Sequence, residues 1–370
     1  MRVVIIGGGI MGCSVGWRLA QAGAGVTLVE RAVPGAEASS AAAGMLAPQM
    51  ENAKPGPLMD LGLRSRGMYP AFSAELKEVT GVDVQYVPCG VLKVAFDEAG
   101  TQELAERVAW QQAVGLRASL LDGNAARALQ PGISDTVLSA AHFPDDHQVD
   151  NQLLVRALTL AAARAGAAFR TGVVRGVVET QGRATGVDVE GELLEADAVV
   201  VAAGSWSGLV PGSGVSLDTV KPVRGQMLQL QLRVPPFQSV LSSPNGYLVP
   251  RRDGRVIAGS TMEFKGFDKA VTADGLRRLL DMALSVFPAL AEAPVQGHWA
   301  GLRPWTEDHA PLLGASSLPG LFLATGHFRN GILLAPITAR VVTDALLGRA
   351  LPAGLDLRPF HPERKARAHA

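Results

Sequence analysis

The chain has 370 residues, 48% hydrophobic and 18% charged, enough to bury a large core and to form about two domains rather than a fibre or a disordered coil. Its 34 basic residues balance 34 acidic ones, leaving no net field to attract nucleic acid or an anionic membrane. No apolar run is long enough to span a bilayer, and Cys13 and Cys89 offer neither a disulfide framework nor metal-ligand spacing, so a cytoplasmic setting is expected.

Val3 to Ile6 reads as a short buried parallel strand. Gly7, Gly9 and Gly12 follow with the spacing G-x-G-x-x-G, and a second apolar run, Val26 to Val29, closes on Glu30, eighteen residues after Gly12. Each part has a physical role in holding an adenine dinucleotide. Gly7 permits the tight turn, Gly9 lets the backbone approach a pyrophosphate, and Gly12 lets the helix pack close to the sheet. The helix N-terminus offers free N–H groups to the phosphates, and Glu30 can accept from both ribose hydroxyls. A 2′-phosphate would meet the Glu30 carboxylate and is disfavoured. The same stretch makes a poor secretory leader: five glycines break it, Arg18 ends it, and it lacks an A-x-A site.

Farther on, an excursion from this nucleotide unit is expected from about residue 86 to 144. Asp150 is a candidate N-cap for a helix with Leu153, Leu154, Ala157, Leu158 and Ala161 on one face, ended by Gly166. A β-meander follows over Val173 to Thr180 and Ala184 to Val189, and Val199 to Trp206 is a buried strand leading into a small-residue turn that contains Gly204. A second excursion, residues 219–299, carries a hairpin signal: Tyr247 to Arg252, the turn Asp253-Gly254, then Arg255 to Gly259. Thr272 is placed to cap a helix through Leu284 that Pro288 helps to stop. Near the C-terminus, Gly320 to Val342 repeats the strand–glycine–helix logic, with Leu321 to Ala324 as strand and Ile332 onward helical. A helix N-terminus there would stabilise negative charge on a heterocycle that accepts a hydride. Residues 1–85, 145–218 and 300–362 are thus expected to form a discontinuous Rossmann-like α/β domain, 86–144 and 219–299 an antiparallel-sheet substrate domain, and 363–370 a solvated tail.

The opening motif, VVVAAGSW and the C-terminal segment together resemble the FAD-dependent amine and D-amino-acid oxidase superfamily. More narrowly, AAAGML at 41–46, NGYLVPR at 245–251, WAGLRP at 299–304 and GHFRNGILLAP at 326–336 resemble the glycine oxidases linked to the thiazole branch of thiamine biosynthesis. That resemblance implies flavin contacts at Gly7, Gly9, Ile10, Met11 and Gly12, with Glu30 and Arg31 at the ribose. It places Ser39, Ser40, Ala43, Gly44, Met45 and Gly204 along the flavin and Val174 near the adenine. His327, Phe328, Arg329, Asn330, Gly331, Ile332 and Leu333 surround the isoalloxazine. With no cysteine in the C-terminal half for a cysteinyl flavin, the FAD is expected to be non-covalent.

Oxidising an amino acid by hydride transfer from Cα to flavin N5 asks the protein to clamp a carboxylate, and a planar guanidinium does so bidentately. Arg303 and Arg329 are the candidates; the resemblance implies that Arg303 pairs with the substrate carboxylate and that Arg329 and Tyr247 line the same pocket, and Met262 is placed to fill it beside the Cα. For each arginine a structural ion pair between loops stands as the alternative; Tyr247 and Met262 could equally be packing. His327 is read as orienting the ring rather than as an acid or base. Trp305, where relatives have glycine, is expected to reshape the pocket entrance, and Asn245 stands where a histidine occurs. The expected reaction takes glycine, sarcosine and other small amino acids with O₂ to glyoxylate, ammonia and H₂O₂, in a homo-oligomer that is a tetramer by resemblance. A D-amino-acid dehydrogenase that reduces a quinone and a non-catalytic dinucleotide-binding redox sensor are the competing readings.

Overall fold

A computed structural model describes residues 1–364. A six-stranded sheet runs in the order Leu312–Ala315, Leu321–Thr325, Ala198–Val201, Arg2–Ile6, Gly25–Glu30, Ala168–Thr171, parallel throughout except for the antiparallel pair at the Leu312–Ala315 edge. The first strand lies between two parallel neighbours, with Ile5 beside Leu28 on one side and Val200 on the other. Its apolar run is unbroken because both faces are covered. Val3 and Ile5 join a core with Trp17, Leu158 and Leu334, whereas Val4 and Ile6 join another with Val187, Val199 and Leu323. Helix Ile10–Gln21 packs on one face against helices Asn151–Arg164 and Gly331–Leu346, and a three-stranded meander, Val174–Thr180, Arg183–Val189 and Glu192–Glu195, covers the other. Asp150 caps Asn151–Arg164 as expected, its Oδ1 accepting from the N–H groups of Gln152 and Leu153 at 3.0 Å.

The two excursions merge into one eight-stranded sheet, ordered Val295–Trp305, Lys221–Gln231, Arg255–Gly259, Gly246–Pro250, Val240–Ser243, Val91–Ala95, Ser139–Phe143, Ser119–Asp122. It is antiparallel except where the excursions meet: Val240–Ser243 runs parallel to Val91–Ala95. Those two strands are separated by most of a domain, so no hairpin dictates their direction. The boundary expected at residue 299 falls inside the continuous strand Val295–Trp305.

Two further details differ from expectation. The hairpin register pairs Pro250 with Val256, and Arg251 N donates to Arg255 O, leaving a three-residue loop, 252–254, rather than a two-residue Asp-Gly turn. Gly254 takes the left-handed position of that loop at φ 85°. Arg364, expected in the solvated tail, is instead docked: Nε and Nη2 donate to the Asp308 carboxylate at 2.6 and 2.8 Å. Residues 365–370 of that tail lie outside the described residues. Among the described residues no helix is long and apolar enough to cross a membrane.

Candidate active site

A cavity of about 660 Å³ runs from the Gly7–Met11 turn past Glu30 to the turn before helix Gly331–Leu346, and on to one face of the eight-stranded sheet. At its first end Gly7 sits at φ 105°, and Gly12 packs so tightly that a Cβ would collide with the Gly7 carbonyl oxygen. Gly12 therefore does not line the cavity; it sets the approach of helix to strand. Ile10 N donates to Ser39 Oγ at 3.0 Å and the helical ladder starts with Cys13 N to Gly9 O at 2.9 Å. The N–H groups of Met11 and Gly12 precede that ladder, the usual state of an anion-binding helix end. Glu30 is pinned at the cavity edge: its Oε2 accepts from Gly8 N at 2.8 Å and its Oε1 from Ala32 N at 3.2 Å. Arg31 lies over the Trp206 ring, 4.0 Å from its centroid, and pairs with Glu37 at 2.6 Å.

Along the middle of the cavity lie Ser39, Ala43, Gly44, Met45, Val174 and Gly204. Gly44 adopts φ 75°, and a Cβ there would strike the Val149 carbonyl. Buried Arg251 fastens this wall, donating to Ala43 O at 2.7 Å, Gln148 Oε1 at 2.8 Å and Val149 O at 2.9 Å. Ser40, expected here, is not on the wall: its hydroxyl turns back to Gly35 O at 2.6 Å. His327 to Ile332 line the far end, with Leu334 N to Asn330 O at 2.8 Å opening the ladder of helix Gly331–Leu346. Leu333 was expected here too, but it packs into the core near Gly62 while its carbonyl accepts from Ser65 Oγ at 2.6 Å. Burial pushes the His327 imidazole down to about 3 and its Nε2 meets Thr338 Oγ1 at 3.0 Å, so this ring is neutral throughout the physiological range. Neither cysteine lines the cavity, and burial pushes the Cys13 thiol up to about 12.

The two candidate arginines differ in their surroundings. Arg303 Nη1 donates to Thr261 O at 3.2 Å and Nη2 to Ser260 Oγ, both neutral acceptors. Among the described residues no carboxylate pairs with it, so the ion-pair alternative does not describe Arg303. Burial pushes its guanidinium below the ordinary range; the nearby Tyr247 phenol opposes this and Arg329 adds to it. Arg329 is about half exposed and faces Glu51 Oε2 at 3.5 Å, the kind of ion pair the alternative foresaw. Its Nη2 also lies 3.6 Å from Met262 Sδ. Tyr247 and Met262 both line the cavity, as does Asn245, whereas Trp305 does not: it packs edge-on against Phe264 at 5.5 Å and against His309 at 6.0 Å.

Sequence reading missed Glu51, Lys93, Arg107, Trp206, Gly225 and Met227 on this wall. Gly225 is the most instructive, since a Cβ there would overlap the Arg303 guanidinium. A glycine inside the apolar strand RGQMLQL was the available signal, because interior strand glycines mark close approach.

Two open helix N-termini, a pinned carboxylate at a strand end and an uncompensated guanidinium define an oxidoreductase-type dinucleotide site with a clamp for an anion. The family described as DAO, FAD dependent oxidoreductase, matches residues 2–345. The chain belongs to this family, and FAD is its cofactor. The donor set fits: the Met11 N–H group would face the pyrophosphate, Glu30 the ribose, and the start of helix Gly331–Leu346 the ring. Glycine oxidase of Geobacillus kaustophilus is 36% identical over 362 residues, 97% of this chain and 95% of that one. The crystal structure of glycine oxidase from that organism superposes with a TM-score of 0.92 at 34% identity, covering 98% and 99% of the two chains. The bifunctional protein ThiO/ThiG of Synechocystis sp. is 40% identical over 98% of this chain. This chain spans about half the length of that relative, 54%.

Proposed function

We propose that the protein is an amino-acid oxidase that converts glycine with O₂ and water to glyoxylate, ammonia and H₂O₂, and oxidises sarcosine and other small amino acids in the same way to the corresponding oxo acid and amine. The observation that carries the reading is Arg303: a cation without a carboxylate partner among the described residues, set beside Tyr247 in the dinucleotide cavity. When bound, FAD would supply the hydride acceptor and the route for electrons to O₂. The chain's own residues do the rest. Arg303 clamps the substrate carboxylate bidentately, Tyr247 borders it, and Met262 and Met227 give the Cα an apolar floor. Neutral His327 holds its orientation through Thr338 and takes no proton. In this reading the unit built on the six-stranded sheet holds the dinucleotide and the eight-stranded sheet faces the substrate.

Similarity to the glycine oxidases and to ThiO/ThiG supports a role in supplying the thiazole branch of thiamine biosynthesis. A cytoplasmic homotetramer completes the proposal by resemblance alone; light scattering on the purified protein tests the assembly. The activity is tested by incubating the holoenzyme with glycine under air. Peroxide release in step with glycine loss is expected. Dye reduction without oxygen consumption would favour a dehydrogenase, and bound flavin with no turnover of glycine or sarcosine would refute the substrate.

A further inference from the structure

We infer that the cavity holds a second anion subsite, formed by Lys93 and Arg107, which fits the enzyme to amino acids carrying a second acidic group on the nitrogen or side chain. The inference rests on the amino-acid oxidase reading above and names a substrate class for that same site.

The register of the eight-stranded sheet carries the argument. Lys93 stands beside Ser242, Ser242 opposite Tyr247, Tyr247 opposite Gly259, and Gly259 opposite Met227. Residues so paired point to one side of a sheet. Alternation along each strand agrees, since Leu92, Leu241, Leu248 and Leu228 are buried together in the core behind the sheet. Lys93, Ser242, Tyr247 and Met227 accordingly form one row across the cavity floor, and all four line it. Neighbouring strands are about 4.8 Å apart, which puts the Lys93 backbone about 10 Å from that of Tyr247 and its ammonium within reach of a ligand clamped beside the phenol.

The charges along this row do not cancel. Glu51 pairs with Arg329 at 3.5 Å and Glu103 with Arg107 at 2.9 Å, while Lys93 has no ion-pair partner among the described residues. Arg107 is 5% exposed, and although Nη1 donates to Met50 O, its buried Nε has no acceptor. A buried donor without an acceptor is costly, as is a cation lacking its counter-charge. A lysine on an otherwise apolar strand, next to an arginine with a donor to spare, is the arrangement a carboxylate would complete. Among the described residues Arg303 and Lys93 are then the two cations of one cavity with no carboxylate at ion-pair distance, one for each acid of the ligand.

The test compares two inert ether acids on the holoenzyme, diglycolate with two carboxylates and methoxyacetate with one, each titrated by its perturbation of the flavin absorbance. Diglycolate is expected to bind tighter by roughly tenfold or more, the value of one added charge-assisted hydrogen bond. Lys93→Met should collapse the ratio of the two affinities toward one, and Lys93→Arg should keep it. Equal affinity of both acids for the wild-type protein overturns the subsite, as does a ratio unchanged by Lys93→Met. If neither acid perturbs the flavin and glycine gives no peroxide, the oxidase reading falls and takes the subsite with it; methoxyacetate binding without a diglycolate preference sinks the subsite alone.

Discussion

Replacing Arg303 with lysine separates a clamp from a mere positive charge. The guanidinium has five N–H groups, and two are engaged by Thr261 O and Ser260 Oγ, which fix its plane and leave donors for a ligand. A carboxylate meeting it bidentately gains two charge-assisted bonds, each worth about 1.5–3 kcal/mol. Lysine keeps the charge but loses the fork and one of those bonds, so affinity should fall by roughly 10- to 100-fold. Alanine loses both and leaves a desolvated substrate carboxylate unpaired, about 3–5 kcal/mol in all. The two variants differ in a second way from a structural ion pair. Removing Arg303 relieves an uncompensated cation, so the melting temperature of Arg303→Ala should hold or rise, whereas loss of a structural pair would lower it. The assays are glycolate binding by flavin perturbation, kcat/KM for glycine by peroxide release, and thermal melting of each holoprotein. Glycolate affinity of Arg303→Lys within about threefold of wild type, or a clear drop in melting temperature for Arg303→Ala, would refute the reasoning.

Three other outcomes follow from the same geometry. Gly12→Ala puts a methyl group into the Gly7 carbonyl, and the strain of about 1–3 kcal/mol should appear as weaker FAD retention, read as the flavin-to-protein ratio after gel filtration. Gly225→Ala should keep its flavin but displace the Arg303 guanidinium, raising the KM for glycine by about tenfold or more, since a methyl there overlaps that group. Burial pulls the Glu263 carboxyl up, but Thr261, Arg224 and Gln226 together hold it down to about 2, below its ordinary 4.5. Because the folded-state value is depressed, its stabilisation is complete above 4.5 and is lost as the pH falls toward about 2. Glu263→Gln should therefore melt below wild type at neutral pH, and the gap should close on acidification.

The dinucleotide half was legible because its signals are local. Strand, glycine turn, helix and acid sit within thirty residues, and Gly12 answers to a contact made inside that unit, with the Gly7 carbonyl. The substrate half was legible only where a motif marked it, as GLRP marked Arg303. Lys93, Met227 and Gly225 reach the cavity through strand pairing between segments far apart in sequence, Lys93 with Ser242, Met227 with Trp299 and Gly225 with Gly301, and no short window encodes that register. Ser40 and Leu333 failed for a different reason. Each adjoins residues on the wall, but a turn hydroxyl bonding back to Gly35 and a helical side chain facing the core point away from it. Trp305 fails by position along its strand: it follows the cavity-lining run Gly301 to Pro304, and its indole packs against Phe264 and His309 beyond the wall.

The bareness of Arg303 has a structural cause in how the nearby acids are committed. Glu263 is close enough in sequence to Ser260 and Thr261 to be a natural counter-ion for it. Its Oε2 instead takes the Arg224 fork at 2.5 and 3.2 Å, and its Oε1 takes Thr261 Oγ1 at 2.6 Å and Gln226 Nε2 at 2.8 Å. With its oxygens so occupied, Glu263 braces the segment that offers Arg303 a carbonyl and a hydroxyl without lending it a negative charge. Glu51, the other nearby acid, is directed to Arg329. Each pairing removes a carboxylate that would otherwise close the slot and compete with the substrate. The cost is a partly buried cation held by neutral oxygens, a stability penalty of the sort that binding sites accumulate, and the incoming carboxylate is what relieves it.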